Sequence, residues 1–107
     1  MVEYTIDNFA VRHWAGRSTK PGSPGVAVTG VYLFEGDTYR GYVYFYPDGT
    51  DLRAPALKRD QAQIQLCFNL SQLDSTLAML HNNNPITLYY QSQTDAGLKA
   101  GKDPFAR

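Results

Sequence analysis

Cysteine is nearly absent: Cys67 stands alone, which excludes an internal disulfide and a cysteine-built zinc site. Neither sign of charge is in excess. Ten basic residues cancel ten acidic ones over 107 residues, and they cancel locally too, with seven of each sign in residues 1–60 and three of each in residues 61–107. A domain that holds nucleic acid mainly through phosphates needs a basic surplus, so nucleic acid is a disfavoured partner, and a clamp for acidic substrates is disfavoured likewise. No run approaches the roughly 20 apolar residues of a membrane span, and MVEYTIDNF lacks the basic-then-apolar pattern of a secretory leader. The expectation is a cytoplasmic protein that makes no membrane contact.

Catalytic and cofactor signatures are missing as well. There is no HExxH, no GxSxG, no paired carboxylate and no His/Cys cluster, and Gly16-Arg17-Ser18-Thr19-Lys20 lacks the Gly-Lys-Ser/Thr ending of a phosphate-binding loop. Asp37, Asp48 and Asp51 sit at turns for backbone reasons, and His81 falls at the end of a predicted helix, where a cation suits the dipole. No catalytic residue, metal or cofactor is expected, and no repeat or low-complexity tract occurs.

What is present is a globular core. Hydrophobic residues make up 43% of the chain and aromatics 13%, and a chain of this length closes one domain, residues 1–107, without disulfides. Two runs rich in β-branched and aromatic residues, VAVTGVYLF and TYRGYVYFY, flank Glu35-Gly36-Asp37 and predict a hairpin, Gly36 supplying the positive φ of a tight turn. With Gly36-Asp37 as the loop, Phe34 faces Tyr39, Tyr32 faces Gly41, Gly30 faces Val43 and Val28 faces Phe45. Val31, Leu33, Arg40, Tyr42, Tyr44 and Tyr46 then share the opposite face.

Around that hairpin, Val2, Tyr4 and Ile6 alternate as in a half-buried strand that continues past Asn8 with a bend, because Phe9 breaks the parity. GRSTKPGSPG, residues 16–25, is expected to be a mobile loop. Residues 50–60 read as a short edge strand or an extended crossing segment around Pro55. Ala62, Ile64, Leu66 and Phe68 alternate with Gln61, Gln63, Gln65 and Cys67 in a strand. Asn69 with Gln72, or Ser71 with Asp74, has capping-box spacing for a helix whose stripe is Leu70, Leu73, Leu77 and Leu80. Asn82-Asn83-Asn84-Pro85 ends it, Ile86, Leu88 and Tyr90 mark a last strand, and residues 92–107 are expected to be a loosely ordered tail. The fold class is α+β, a twisted antiparallel sheet or partial β-barrel of about five strands with one α-helix packed on one face.

One helix covers only one face of such a sheet. The leucine stripe is expected over Tyr32, Phe34, Val43, Phe45, Ile64 and Leu66. The other face then shows Arg40, Tyr42, Tyr44 and Tyr46 beside Gln63, Gln65 and Tyr89, an amphipathic surface of flat rings, hydroxyls and amides. Three readings apply to it: strand tyrosines that lie half-exposed or pack under the 50–60 segment with no further role, a symmetric contact between copies, or a recognition platform for a peptide, a sugar or single-stranded nucleic acid. Self-association leads, so a homo-oligomer of a non-catalytic binding protein is expected. Arg12, His13, Arg17 and Lys20 form a weaker, separate candidate: a local positive patch for an anion or other small molecule, or an enzymatic site built by residues that folding brings to this loop.

Overall fold

The turn at Gly36-Asp37 forms where the sequence places it. In a computed structural model that describes residues 1–15, 26–83 and 85–101, Gly36 takes φ +59°, Glu35 pairs with Thr38 and Phe34 with Tyr39. The chain order is β1 (Val2–Ile6), β2 (Asn8–His13), β3 (Thr29–Glu35), β4 (Thr38–Tyr46), β5 (Ala56–Lys58), β6 (Gln63–Asn69), a 3-10 turn at Leu70–Gln72, α1 (Leu73–Asn82), β7 (Ile86–Ser92) and β8 (Asp95–Lys99). The protein is α+β with one short helix, and its strands divide between two sheets. One has five strands in the order β2-β3-β4-β6-β5, the other three in the order β1-β7-β8. Every pairing is antiparallel except β4 with β6, which run parallel.

One residue past the turn the hairpin departs from expectation. Leu33 pairs with Gly41 while Phe34 pairs with Tyr39, so Arg40 is the extra residue of a β-bulge. Everything beyond it slips by one: Tyr32 lies opposite Tyr42, Val31 opposite Val43 and Gly30 opposite Tyr44. The expected faces of β3 are thereby exchanged. Val31 and Leu33 are fully buried with Val43, Phe45 and Ile64, whereas Tyr32 joins Tyr42 and Tyr44 on the outer side. The assignment of β4 itself, Val43 and Phe45 inward and its tyrosines outward, stands.

The cause of the bulge sits at Gly41. Its φ is +149°, and a Cβ there would lie 1.9 Å from the Ile64 carbonyl oxygen, so only glycine lets β4 approach β6 this closely.

The first strand bends where Phe9 breaks the parity. Asp7 is the corner at which the chain leaves the three-stranded sheet and enters the five-stranded one. Its N–H donates to the Phe34 carbonyl at 3.1 Å and its Oδ1 accepts the Gly36 N–H at 2.8 Å, tying the corner to the hairpin turn. The inner faces of both sheets share one core, in which Ile6, Ile86 and Leu88 meet Val31, Leu33, Val43, Phe45, Ile64 and Leu66.

At the helix entry Asn69 plays its expected part, its N–H donating to Gln72 Oε1 at 3.1 Å. Of the leucine stripe, Leu80 is buried, Leu73 and Leu77 pack against the core partly exposed, and Leu70 is 38% exposed, because it belongs to the 3-10 turn before the helix. The short edge strand expected in residues 50–60 is β5.

The tail expectation needs correction at its start. Asp95–Lys99 forms β8, folded back on β7 through a turn in which the Thr94 N–H donates to Ser92 Oγ, with Gly97 against the Tyr89 ring. Residues 102–107 and the loop 16–25 lie outside the described residues.

Gly41→Ala is therefore expected to destabilise the fold by at least about 3 kcal/mol, since it strains φ and drives a methyl into a carbonyl. Leu80→Ala should cost roughly 2–5 kcal/mol. Leu70→Ala should cost under about 0.5 kcal/mol. Urea unfolding of the three variants measures all three.

Candidate interaction surface

The outer face of the five-stranded sheet follows from strand alternation. Tyr42, Tyr44 and Tyr46 project outward from β4, and the parallel register sets them beside Gln65, Cys67 and Asn69 of β6. Gln63 continues the β6 row next to Lys58 of the edge strand β5. The bulge adds Tyr32 from β3 and leaves Tyr39 within reach of it, ring centroids 6.2 Å apart.

Gly30 makes room for the largest ring. A Cβ there would stand 2.8 Å from Trp14 Cη2 and 3.1 Å from Tyr44 Cε1, so the absence of a side chain is what seats the indole. Trp14 meets Tyr44 edge to face at 5.5 Å, Tyr42 and Tyr44 stack at 3.9 Å, and the hydroxyls of Tyr32 and Tyr44 are 3.4 Å apart. All these rings are half-buried and pack on one another, and Arg53, from the segment before β5, reaches the same face with a backbone hydrogen bond to Cys67.

The environment keeps the phenols neutral. Burial, reinforced by the neighbouring Tyr32 and Tyr42, pushes Tyr39 up to about 12 from an ordinary 10.0. Burial first, then the hydrogen bond with Tyr32, raises Tyr44 further. Tyr42 and Tyr46 are raised by burial and the nearby Cys67, against a smaller opposing pull from Arg53. Burial also raises the Cys67 thiol, so it is a poor nucleophile.

The structure gathers Tyr42, Tyr44, Tyr46, Gln63 and Gln65 on this face, and removes two residues expected there. Arg40, turned inward by the bulge, holds Glu35 at 2.9 Å and lies 4.4 Å over the Tyr4 ring. Tyr89 belongs to the other sheet, on β7, where its hydroxyl donates to Asp95 and Lys99 lies over its ring.

The positive patch also separates. Successive strand residues point to opposite sides: Arg12 stands 5.9 Å over the Tyr32 ring at the margin of the tyrosine face, while His13 Nδ1 hydrogen-bonds Thr29 Oγ1 at 2.9 Å. Arg17 and Lys20 lie outside the described residues.

Trp14, Tyr32, Tyr39 and Cys67 are the members that sequence reading left out. Their one signal was glycine: Gly41 inside a strand marks a bulge, and Gly30 a close approach.

Elsewhere, a cleft of about 190 Å³ runs between the Asp7 corner and the end of α1, with Phe9 and His81 edge to face at 5.1 Å in its wall. Among the described residues no group of three or more His, Cys, Asp or Glu could hold a metal, and no helix is long and apolar enough to cross a membrane. Compared with family models, curated proteins and solved structures, the chain matches none.

The raised phenols make a linkage prediction. A group whose folded pKa exceeds its unfolded value gives stability that is complete below the unfolded pKa and is lost as pH rises through the folded one. For Tyr39 that window runs from 10.0 to about 12. Thermal melts should therefore be level across neutral pH as far as these groups are concerned and fall through this alkaline range. Near-ultraviolet titration should show part of the phenol population ionising late, and Tyr39→Phe should remove part of the alkaline loss.

Proposed function

We propose that this is a non-catalytic interaction protein that self-associates through the tyrosine face of the five-stranded sheet. The observation that carries the reading is the make-up of that face: contiguous half-buried rings and amides, with Arg12 and Lys58 on its two edge strands and Arg53 beside Tyr42, Tyr46 and Cys67. Interfaces concentrate aromatics in this way, and a symmetric contact uses the same patch twice. Neutral phenols serve it well, since each both donates and accepts without a charge to desolvate. A lone, burial-shielded thiol at Cys67 suits a reducing compartment such as the cytoplasm.

A second reading has its own observation. The Arg12 guanidinium over Tyr32, in the same aromatic cluster as Trp14, sets a cation beside flat rings, the combination that suits a flat anionic ligand, of which single-stranded nucleic acid is the macromolecular form.

Sedimentation of the wild type at micromolar concentration should show a dimer or larger species, and Tyr42→Lys combined with Tyr44→Lys should give a folded protein of lower mass, because like charges would be desolvated against each other. A monomeric wild type that captures an oligonucleotide with steep salt dependence would favour the second reading. A monomer whose double variant is equally stable and equally inert would defeat both.

A further inference from the structure

The five-stranded sheet ends in β2, and the phase of its ladder is fixed. The Trp14 N–H donates to the Val28 carbonyl at 3.0 Å, so Asn8, Ala10 and Arg12, in step with Trp14, bond inward to β3. Phe9, Val11 and His13 therefore turn their N–H and C=O groups away from the sheet. The Phe9 N–H is taken by Asn8 Oδ1 at 3.0 Å. Among the described residues, nothing takes the donors and acceptors of Val11 and His13 or the Phe9 carbonyl. Natural edges are usually blunted by lysine, proline or a bulge. β2 has no lysine, proline or bulge, Arg12 being its one charged residue and turned to the Tyr32 ring, and Val11 at its middle is 40% exposed.

We propose that β2 is a pairing edge for a second copy of this chain, antiparallel and centred on Val11, which joins two five-stranded sheets into one. The free groups are themselves symmetric about Val11, two residues to either side, as an isologous contact requires. With Val11 opposite its counterpart, two bonds form between the Val11 residues and two more, one from each His13 N–H to the other copy's Phe9 carbonyl, leaving Asn8 undisturbed. Each Arg12 then stands opposite Ala10, not opposite the other Arg12, and the exposed valines cover each other. The zero net charge leaves no overall repulsion between copies. This contact is separate from the tyrosine face. Its two-fold axis is normal to the sheet, so the two tyrosine faces end up side by side on one surface.

A contact of six residues a side falls below the size of a standard stable interface, so association belongs at roughly 10 µM to 1 mM. Over that range sedimentation should show mass rising toward at least twice the protomer's, and hydrogen exchange at the Val11 and His13 amides should slow at least threefold with concentration, while other edge amides do not change. Val11→Pro removes an outward N–H that β3 does not use, so the sheet should survive and concentration-dependent protection should vanish. Val11→Lys, which opposes like charges, should do the same if proline disturbs the strand. The Tyr42→Lys, Tyr44→Lys variant should keep the protection at Val11 and His13. Exchange at these amides that does not depend on concentration, protection that persists in both Val11 variants, or protection lost in the tyrosine variant instead would overturn the proposal.

Discussion

The contact between Gly41 and the Ile64 carbonyl governs the rest of the molecule. β4 is the strand both neighbours need: β3 pairs on one side of it through a tight hairpin, and β6 on the other in parallel. Parallel pairing at this point brings the backbones close enough to exclude a side chain at residue 41, and the chain accommodates it by setting Arg40 outside the ladder. Because strand faces alternate with a period of two, that one extra residue decides which side chains of β3 enter the core. Val31 and Leu33 fill it, and Tyr32 is released to the aromatic cluster. Core and surface are thus two consequences of one local geometry.

The Asp7 corner depends on the same region. Its carboxylate accepts the Gly36 N–H, so the hairpin turn is held to the point where the first strand changes sheets. Such an exposed bond contributes only about 1 kcal/mol, but it fixes a direction: with the turn anchored, Ile6 faces the shared core and Asn8 begins the edge strand. Arg40 strengthens the same seam from inside, lying over Tyr4 of β1 while paired with Glu35 of β3. The bulge that removes Arg40 from the tyrosine face is what makes it a link between the two sheets.

Much of this was legible in the sequence wherever a pattern was local. The alternation of Ile64, Leu66 and Phe68, the outward tyrosines of β4, the Gly36-Asp37 turn and the Asn69 helix entry all depend on residues within a few positions of one another. What escaped depends on distant partners. The bulge answers to Ile64, more than 20 residues from Gly41, and its one local signal is that glycine inside a strand. β8 has the composition DAGLK, poor in strand formers, and is a strand because β7 supplies the partner and the Tyr89 ring covers Gly97. Tyr89 alternates like the face tyrosines, yet a two-sheet division cannot be read from alternation. Leu70 fits a helical stripe by number and misses it because the first turn is 3-10.

The aromatic surface follows from these constraints with a physical character of its own. Rings that stack on each other, as Tyr42 does on Tyr44, or that fill a glycine socket, as Trp14 does over Gly30, have already lost most of their rotamer freedom in the folded protein. Ordering such side chains is one of the costs of association, and here little of it remains. The face is therefore rigid, and its phenols stay protonated well beyond neutral pH, so their hydrogen-bonding capacity does not vary with ordinary changes of pH. A contact at the β2 edge would leave that surface intact, because a two-fold normal to the sheet keeps both faces on one side. A face-to-face contact uses an axis lying in the sheet plane instead. The two axes are perpendicular, and where they meet at a point the two contacts close together into a compact tetramer, the arrangement in which an exposed edge is used up without runaway assembly.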